Sequence, residues 1–354
     1  MEQITAHFIG NIPRDNDKLR KIAENLTRGH QYPASAEVAY DPDDSDGSAI
    51  AEETYTVEEI SDNAIHYSGE LSHWNFSRRV QREVNSLATD SGPHESFSDS
   101  GNYRAKYLQS SGPTVASVAQ CFPPRPVAEF LASIFFRFAQ TNYFFIEKDW
   151  FSVKLDAVYT QSLGWSSDES PTWCILFMVL GIGTQFVHLD SASTFEDSFD
   201  FNPSRNETVE DDVGSKLYKL AAKLVPDVLT IASLESVQAC LLLGVYTLPL
   251  DTPGLSYTYL GVALRVCIQN GLHRRKPETL LDEHAIEVRK RLWWTVFTLE
   301  RRICILHGRP LSISRSDMDI EMPIDLPLFR PANFENLRAI IMLTPHLESI
   351  ASTL

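Results

Sequence analysis

The stretch RLWWTVFTLERRICILHGRP, residues 291–310, contains the pattern that decides the fold. Its apolar residues recur at alternating intervals of four and three positions, which places them on one face of an α-helix: Leu292, Val296, Leu299, Ile303 and Leu306. Trp293, Phe297 and Cys304 form a second apolar face beside the first, as in a helix that is buried among others. The two adjacent tryptophans, Trp293 and Trp294, are therefore predicted to be core residues rather than an exposed recognition site.

The end of this helix is marked by a glycine and a proline. Gly308 is predicted to end the helix, and Pro310 prevents it from continuing. Arg301 lies near the apolar face, where an unpaired charge would cost several kcal/mol. We therefore expect Arg301 to pair with a carboxylate or a carbonyl group in the core.

Helical periodicity dominates the chain after residue 110, and strand alternation is nearly absent, so the predicted fold class is all-α. Further helices are predicted at 127–146, 172–186, 215–229, 233–248 and 256–271. Pro226 should kink the third of these, and Ser233 is a candidate N-cap for the fourth. Gly181 and Gly183 lie inside an apolar helix, which favours close helix packing over phosphate binding. The apolar run 173–183 is too short to span a bilayer, so no membrane contact is expected.

The first part of the chain has a different composition. Between Glu37 and Asp62 there are ten acidic residues and no Lys or Arg, so residues 1–110 are predicted to be a mostly disordered, acidic N-terminal region. Residues 115–354 are predicted to form the helical domain, interrupted by an acidic loop at 189–212. Residues 59–84 are open to two interpretations, a small second domain or a strip that docks on the helical domain.

The formal net charge is −16, which disfavours direct binding to nucleic acid or to an anionic membrane. The five cysteines are far apart in sequence, so they indicate packed, reduced thiols and no metal site: Cys121, Cys174, Cys240, Cys267 and Cys304.

No catalytic motif stands out, and no catalytic residues are predicted. The alternative is an all-helical enzyme that holds Mg²⁺ and a diphosphate with carboxylates at helical spacing. Here the acidic residues lie mainly in loops, so the sequence favours a protein that is not an enzyme. The basic residues at 274–276, 289–291 and 301–302 are interpreted as a solvated helix face with ion pairs to acids such as Glu287 and Glu300.

Several blocks together resemble a known family. RLWW (291–294), Glu300-Arg301 and GRPLSI (308–313) resemble the hallmark of the fungal-specific transcription factor domain. This is the middle homology, or regulatory, region of fungal binuclear zinc-cluster regulators, including the xylanolytic activator type. PPRPVAEFLASIFFRF (123–138), WCILFMVLGIG (173–183) and ISRSDMDIEMP (313–323) follow the same order, so the resemblance covers about residues 110–354. It implies structural roles for seven motif residues: Trp293, Trp294, Glu300, Arg301, Gly308, Arg309 and Pro310.

The resemblance implies a nuclear regulator of transcription by RNA polymerase II. The family's zinc cluster needs six cysteines in a short basic segment, and residues 1–120 contain none, so no cofactor is expected in this chain. Zinc is expected only of a missing N-terminal cluster, and contact with DNA only indirectly. The implied partners are other transcription regulators or a DNA-binding subunit, and a small-molecule effector is a further option. The family domain usually continues beyond the last residue, which indicates truncation at the C-terminus. A truncated, non-functional remnant is therefore also an alternative.

Overall fold

The computed structural model describes residues 56–61, 64–69, 72, 108–109, 113–160, 162–164, 166–192, 207–250, 254–275, 281–327, 329–330 and 332–353. Within these residues there are ten α-helices, which we number in chain order. They are α1 Pro113–Ala119, α2 Arg125–Ile134, α3 Lys148–Tyr159, α4 Ser170–Ala192, α5 Glu207–Ala222, α6 Val225–Ile231, α7 Leu234–Thr247, α8 Leu255–Gln269, α9 Glu283–Leu306 and α10 Phe334–Thr353. The predicted all-α fold is confirmed.

Two short strands precede the helices, β1 Thr56–Ser61 and β2 Ala64–Ser68, and they pair with each other. Their β-branched and aromatic residues, such as Val57, Ile65 and Tyr67, favour extended backbone. The chain divides into two units, residues 1–58 with 67–99 and residues 59–66 with 100–354, and the ten helices belong to the second. Most of residues 1–110, where disorder is expected, and most of the segment 59–84 lie outside the described residues, so these expectations stay predictions.

The core is built around α4, which packs against α2, α5 and α7. From there α7 packs against α8, α8 against α9, and α9 against α10. Gly183 shows why α4 needs glycine, since a Cβ there would lie 2.4 Å from the backbone oxygen of Leu131 on α2. The Gly-Ile-Gly step is therefore a close helix contact, as predicted. The four cysteines at 174, 240, 267 and 304 are buried and reduced, whereas Cys121 is exposed.

α4 is longer than the sequence suggests. The predicted helix 172–186 is part of a 23-residue helix, and the stretch 167–190 is long and apolar enough to cross a membrane. The expectation that the apolar segment of this helix is too short to span a bilayer is therefore wrong. In the structure, 72% of its most apolar window is buried among the other helices, as in a core helix.

Several helix boundaries are set by local chemistry. Ser233 caps α7 by accepting a hydrogen bond from the backbone N–H of Ser236, as predicted. Pro226 lies in the first turn of the separate helix α6 instead of kinking a continuous helix, because proline fits the first turn of a helix. The acidic loop is also shorter than predicted, since 189–192 end α4 and 207–212 begin α5.

The helix predicted at 127–146 ends earlier than expected. After α2 a single π-helical turn, Phe135–Ala139, ends at Gln140. The buried Gln140 side chain then bonds the backbone of the next segment, accepting from the N–H groups of Phe145 and Ile146 and donating to the Ile146 carbonyl. These bonds stabilise a loop in place of further helix, and α3, which was not predicted, follows.

Candidate functional site: helix α9 and the strap that it holds

The predicted motif residues lie on α9 and at the start of the segment that follows it. We call residues 308–326 the strap, because this extended segment runs back along α9 without forming a long helix or strand of its own. Asp282 begins α9 by accepting a hydrogen bond from the Ala285 N–H at 2.7 Å. Sixteen residues of α9 are buried, among them Trp293, Trp294 and Phe297, so the predicted core role of both tryptophans is confirmed.

Gly308 turns the chain from α9 into the strap. It has φ +60°, a left-handed conformation that favours glycine. Its N–H donates to the Ile305 carbonyl at 3.2 Å, and the Arg309 N–H donates to the Cys304 carbonyl at 2.8 Å. These two bonds are those of a Schellman motif, which satisfies the last carbonyl groups of a helix. The predicted end of the helix is confirmed, and Pro310 follows as an exposed residue.

Glu300 is fully buried, and its carboxylate faces the strap. Its Oε1 accepts from the Ser312 backbone N–H at 3.2 Å and from the Cys304 Sγ at 3.1 Å. Burial, together with the neighbouring Glu300, raises the pKa of the Cys304 thiol to about 12, so this cysteine stays protonated. Glu300 therefore binds the backbone of the strap, and its carboxylate is not accessible to solvent.

Arg301 is 3% exposed and binds the next strap residue, donating from Nη2 to the Ile313 carbonyl. Its Nε lies 3.4 Å from Glu348 Oε1 on α10, and its guanidinium lies 4.6 Å from the ring centre of Phe297. The prediction of a carboxylate or carbonyl partner is confirmed, because Arg301 has both. It joins α9, the strap and α10.

Arg309, the first side chain of the strap after Gly308, packs against α8. Its guanidinium lies 4.2 Å from the ring centre of Tyr257, a favourable cation–π distance. It also lies close to Gly254, where a Cβ would be 3.4 Å from Arg309 Nη2. Arg309 therefore fixes the direction in which the strap leaves α9.

The strap is held at its far end by the motif residue Trp294 and by Arg291 and Glu287, which are not among the seven motif residues. Trp294 Nε1 donates to the Glu321 carbonyl at 2.9 Å, and Arg291 Nη2 donates to the Ile324 carbonyl at 2.9 Å. Glu287 accepts from the Ile324 N–H and, at 2.7 Å, from Arg291 Nε. Burial raises the pKa of Glu287, and the hydrogen bond from Arg291 opposes that shift.

The predicted ion pair of Glu287 is thus present. The expectation of a solvated face is wrong for Arg289 and Arg291, whereas Arg275 and Arg302 are exposed as expected. Glu287, Arg289 and Arg291 are all buried. The sequence signal for a buried ion pair was the position of Arg291, which lies directly before the apolar run and four residues after Glu287. Sequence reasoning named Glu287 and Arg291 only as part of an ion-paired face and of the RLWW block, and it did not assign them a role in binding the strap.

A cavity of about 930 Å³ lies beside the strap, between the C-terminal end of α8 and the first turns of α9. Basic and acidic side chains surround it together with several leucine and isoleucine residues. Its lining includes Arg274, Arg275, Arg289, Lys290, Glu321 and Ile324. Across the part of the chain that the structure describes, no group of three or more His, Cys, Asp or Glu side chains could hold a metal ion.

The chain matches known proteins over most of its helical part. The family model of the fungal specific transcription factor domain matches residues 132–349. A transcriptional regulatory protein of Schizosaccharomyces pombe is 32% identical over 213 residues, which is 60% of this chain and 25% of that protein. The thiamine repressible genes regulatory protein thi1 of the same species is 27% identical over 368 residues, or 100% of this chain and 44% of that protein.

Activator of stress genes 1 of Saccharomyces cerevisiae is 29% identical over 211 residues, or 59% of this chain and 20% of the activator. The chain thus spans less than half the length of these three relatives. No solved structure matches it. The match over 132–349 and the relatives confirm the family predicted from the motif residues: the chain belongs to the fungal-specific transcription factor domain family, whose members here are transcription regulators.

Proposed function

We propose that this chain is the regulatory part of a nuclear transcription regulator and that it has no enzymatic activity. The observation that carries the proposal is the assembly of α9 and the strap. Buried side chains of α9 bond the strap backbone at Ser312, Ile313, Glu321 and Ile324, so their polar groups are used to hold a segment and not to face a substrate.

The strap is suited to transmit a signal. It lies against α9 and, through Arg301 and Arg315, it is connected to Glu348 on α10. A change at the cavity beside Glu321 would therefore act on a segment that reaches two helices of the domain. A regulatory domain needs such a coupling between the site where an effector binds and the surface where a partner protein binds.

The proposal assigns DNA binding to another module. A net charge of −16 repels the phosphate backbone, so we expect contact with DNA through a zinc-cluster segment or a paired subunit. We expect the partners to be other transcription regulators.

A reporter assay in yeast tests this function. The chain is fused between a heterologous DNA-binding domain and an activation domain, and reporter output is compared with that of the two domains joined by a neutral linker. We expect reporter output with the chain to differ from output with the neutral linker. Arg301→Met should alter the size of this difference, because it removes the hydrogen bond to the Ile313 carbonyl. The control is Arg137→Met, which removes an exposed arginine paired with Asp190.

Equal output from the linker, the wild-type chain and the Arg301→Met variant would contradict the proposal. A thermal melt of each purified variant shows whether a changed output reflects unfolding. Magnesium-dependent turnover of an isoprenoid diphosphate by the purified chain would instead support the enzyme alternative.

A further inference from the structure

We propose that Ser316 in the strap is a phosphorylation site for an acidophilic protein kinase, one whose substrate groove is basic, and that the phosphate loosens this part of the strap. The inference goes beyond the proposed function, on which it rests only for its regulatory meaning. Transfer of a phosphoryl group to Ser316 is a property of the purified chain that can be measured separately.

The sequence after Ser316 carries an acidic residue at every second position. Asp317, Asp319 and Glu321 follow it at positions +1, +3 and +5. Across the whole sequence, no other serine or threonine has an acidic residue at both +1 and +3. Kinases distinguish their substrates by charge patterns of this kind. A row of carboxylates beside a hydroxyl group therefore favours a kinase with a basic groove.

The structure presents this acidic row at the surface of the strap. Ser316 and the three acidic residues are exposed, whereas Met318 and Ile320 between them are partly buried and pack against the core. Side chains that alternate in this way are typical of extended backbone, and Met318 has extended angles, φ −131° and ψ 139°. An extended, exposed segment can enter the groove of an enzyme while the helices stay folded.

The acidic side chains of this row form ion pairs that exchange with water. Asp319 and Glu321 are 48% and 47% exposed, and their partners are Arg274, Arg275 and Lys290. Asp319 also accepts from the Arg275 backbone N–H at 2.9 Å. Because exposed ion pairs contribute little, the basic groove of a kinase can replace these partners. The net charge of −16 also favours approach of a basic surface.

The Ser316 hydroxyl group is held by a single turn. Ser316 lies in the 3-10 turn Arg315–Asp317, which Ser314 caps with its side chain. Ser316 Oγ donates to Ser314 Oγ at 2.9 Å, and the Asp317 carboxylate accepts from the Ser314 N–H at 3.0 Å. A three-residue turn at the surface opens at little cost, so the hydroxyl group can reach the active site of a kinase.

The reaction is phosphoryl transfer from ATP. The Ser316 oxygen attacks the γ-phosphorus, and an O–P bond forms as the bond from that phosphorus to the bridging oxygen breaks. ADP leaves with the bridging oxygen, and the hydroxyl proton passes to a carboxylate base of the kinase. ATP and the kinase therefore supply all that the strap itself does not.

A phosphate on Ser316 would weaken the contacts of the strap with its surroundings. It adds a charge of about −1.5 to −2 beside Asp317 and Asp319, and like charges repel. It also lies next to Arg315, whose Nε is 3.9 Å from Glu348 Oε2 on α10. Repulsion from the two aspartates and attraction of Arg315 away from Glu348 both favour release of this part of the strap from α10.

Phosphorylation of the purified full chain in vitro tests the inference. The chain is incubated with Mg²⁺, ATP and either casein kinase 2, which is acidophilic, or the catalytic subunit of protein kinase A, which recognises basic residues before the serine. Mass spectrometry of proteolytic peptides locates each phosphate and gives the rate at each site. We expect casein kinase 2 to modify Ser316 at least about tenfold faster than protein kinase A does.

Two double variants connect the reaction to the acidic row. Asp317→Asn with Asp319→Asn should slow modification of Ser316 at least about tenfold. The control, Asp325→Asn with Glu335→Gln, removes two exposed carboxylates outside the row and should leave the rate unchanged. Unfolding would expose Ser316 more fully and speed its modification, so a slower rate in the first variant reports recognition.

Hydrogen exchange of the phosphorylated chain measures the effect on the strap. We expect amides 314–318 to exchange several-fold faster than in the unmodified chain, and the Ile324 amide to exchange as before. Equal exchange of amides 314–318 in the two forms would contradict the loosening.

The assigned site is overturned if casein kinase 2 leaves Ser316 of the wild-type chain unmodified, or if the variant without Asp317 and Asp319 is modified as fast as wild type. These outcomes do not depend on the reporter assay. Phosphate on Ser316 without any reporter effect of the chain contradicts the proposed function alone, and a reporter effect without phosphate on Ser316 contradicts this site alone.

Discussion

Buried side chains of α9 hold one part of the strap, whereas ion pairs to Lys290 of α9 and to Arg274 and Arg275 after α8 hold another part. The first group, which we call the buried anchors, consists of Glu287, Arg291, Glu300 and Arg301, none of them more than 3% exposed. The second group, the surface ion pairs, joins Lys290 and Arg275 to Glu321 and Arg274 to Asp319.

The two groups use similar residues with different consequences. A buried charge must keep its partner, because leaving it unpaired costs several kcal/mol, so the buried anchors fix the path of the strap. The surface ion pairs exchange with water and ions at little cost, so they can be adjusted. Of the seven motif residues, Glu300 and Arg301 belong to the first group; the RLWW block adds Arg291, and no residue of the second group is included.

The largest effect is expected at a buried anchor. Arg291→Met leaves the Glu287 carboxylate buried without its cation, and it also removes the bond to the Ile324 carbonyl. We expect the free energy of unfolding to fall by about 3–5 kcal/mol. Urea denaturation measures it.

The double variant Glu287→Gln with Arg291→Met is the matched control. It removes both charges, so part of the lost stability should return. A loss of less than about 1 kcal/mol in the single variant would show that the buried pair is not an anchor.

His273 lies where the two groups meet, with its ring against Trp293 and its carbonyl accepting from the Asp319 N–H. Burial, aided by Arg274 and opposed by Asp319 and Asp317, lowers the pKa of His273 from 6.5 to about 4. The unfolded chain therefore binds a proton more readily than the folded one. Stability contributed by neutral His273 is present above pH 6.5 and is lost as pH falls from about 6.5 to about 4.

The contribution lost is up to about 3 kcal/mol. Because carboxyl groups titrate in the same range, the measurement is the difference in unfolding free energy between wild type and His273→Gln as a function of pH. Between pH 7 and pH 4, the unfolding free energy of wild type should fall relative to that of His273→Gln. A difference that stays constant would mean that His273 titrates normally.

A smaller effect is expected at the turn into the strap. Gly308→Ala places a Cβ on a left-handed residue, and among the described residues nothing lies within 4 Å of that Cβ. The whole effect is therefore backbone strain, about 1 kcal/mol of lost stability. Gly261→Ala is the control, because Gly261 lies inside α8 with equally open space and should gain stability. Equal changes at the two sites in thermal melts would contradict the assigned turn.

The smallest effect is expected at a surface ion pair. Arg275→Gln removes the more exposed of the two cations that share the Glu321 carboxylate, and because Lys290 keeps its pair with Glu321, stability should fall by less than about 1 kcal/mol. Glu129→Gln, which breaks the exposed ion pair with Arg125, should lower stability by a similarly small amount. A loss comparable to that of Arg291→Met would mean that the distinction between the two groups is wrong.

Features that depend on neighbouring residues could be predicted from the sequence. Gly308, Ser233 and the apolar repeat of α9 act within a turn or two of the chain. The structure confirms the first two and the repeat from Leu292 to Ile303, whereas Leu306 is 72% exposed. The need of Arg301 for a partner was also predictable, because it follows from the cost of a buried charge alone.

Features that depend on distant residues were not predicted. Gln140 ends the α2 segment by bonding a loop, and its own carbonyl accepts from Asn333, far away in the chain. The strap bonds α9 through backbone groups, which every residue has, so no sequence pattern marks Ser312 or Ile324 as contact points. The cavity likewise arises only when α8, α9 and the strap come together.

The central claim is that α9 side chains hold the strap backbone, and amide hydrogen exchange of the purified chain measures this directly. Ser312 is an exposed residue outside any helix or strand, and its N–H donates to the buried Glu300 carboxylate, its sole partner among the described residues. The Ile324 N–H donates to Glu287. We predict that both amides exchange at least about a hundredfold more slowly than those of an unstructured peptide. Exchange of both amides at the unstructured rate would contradict the account.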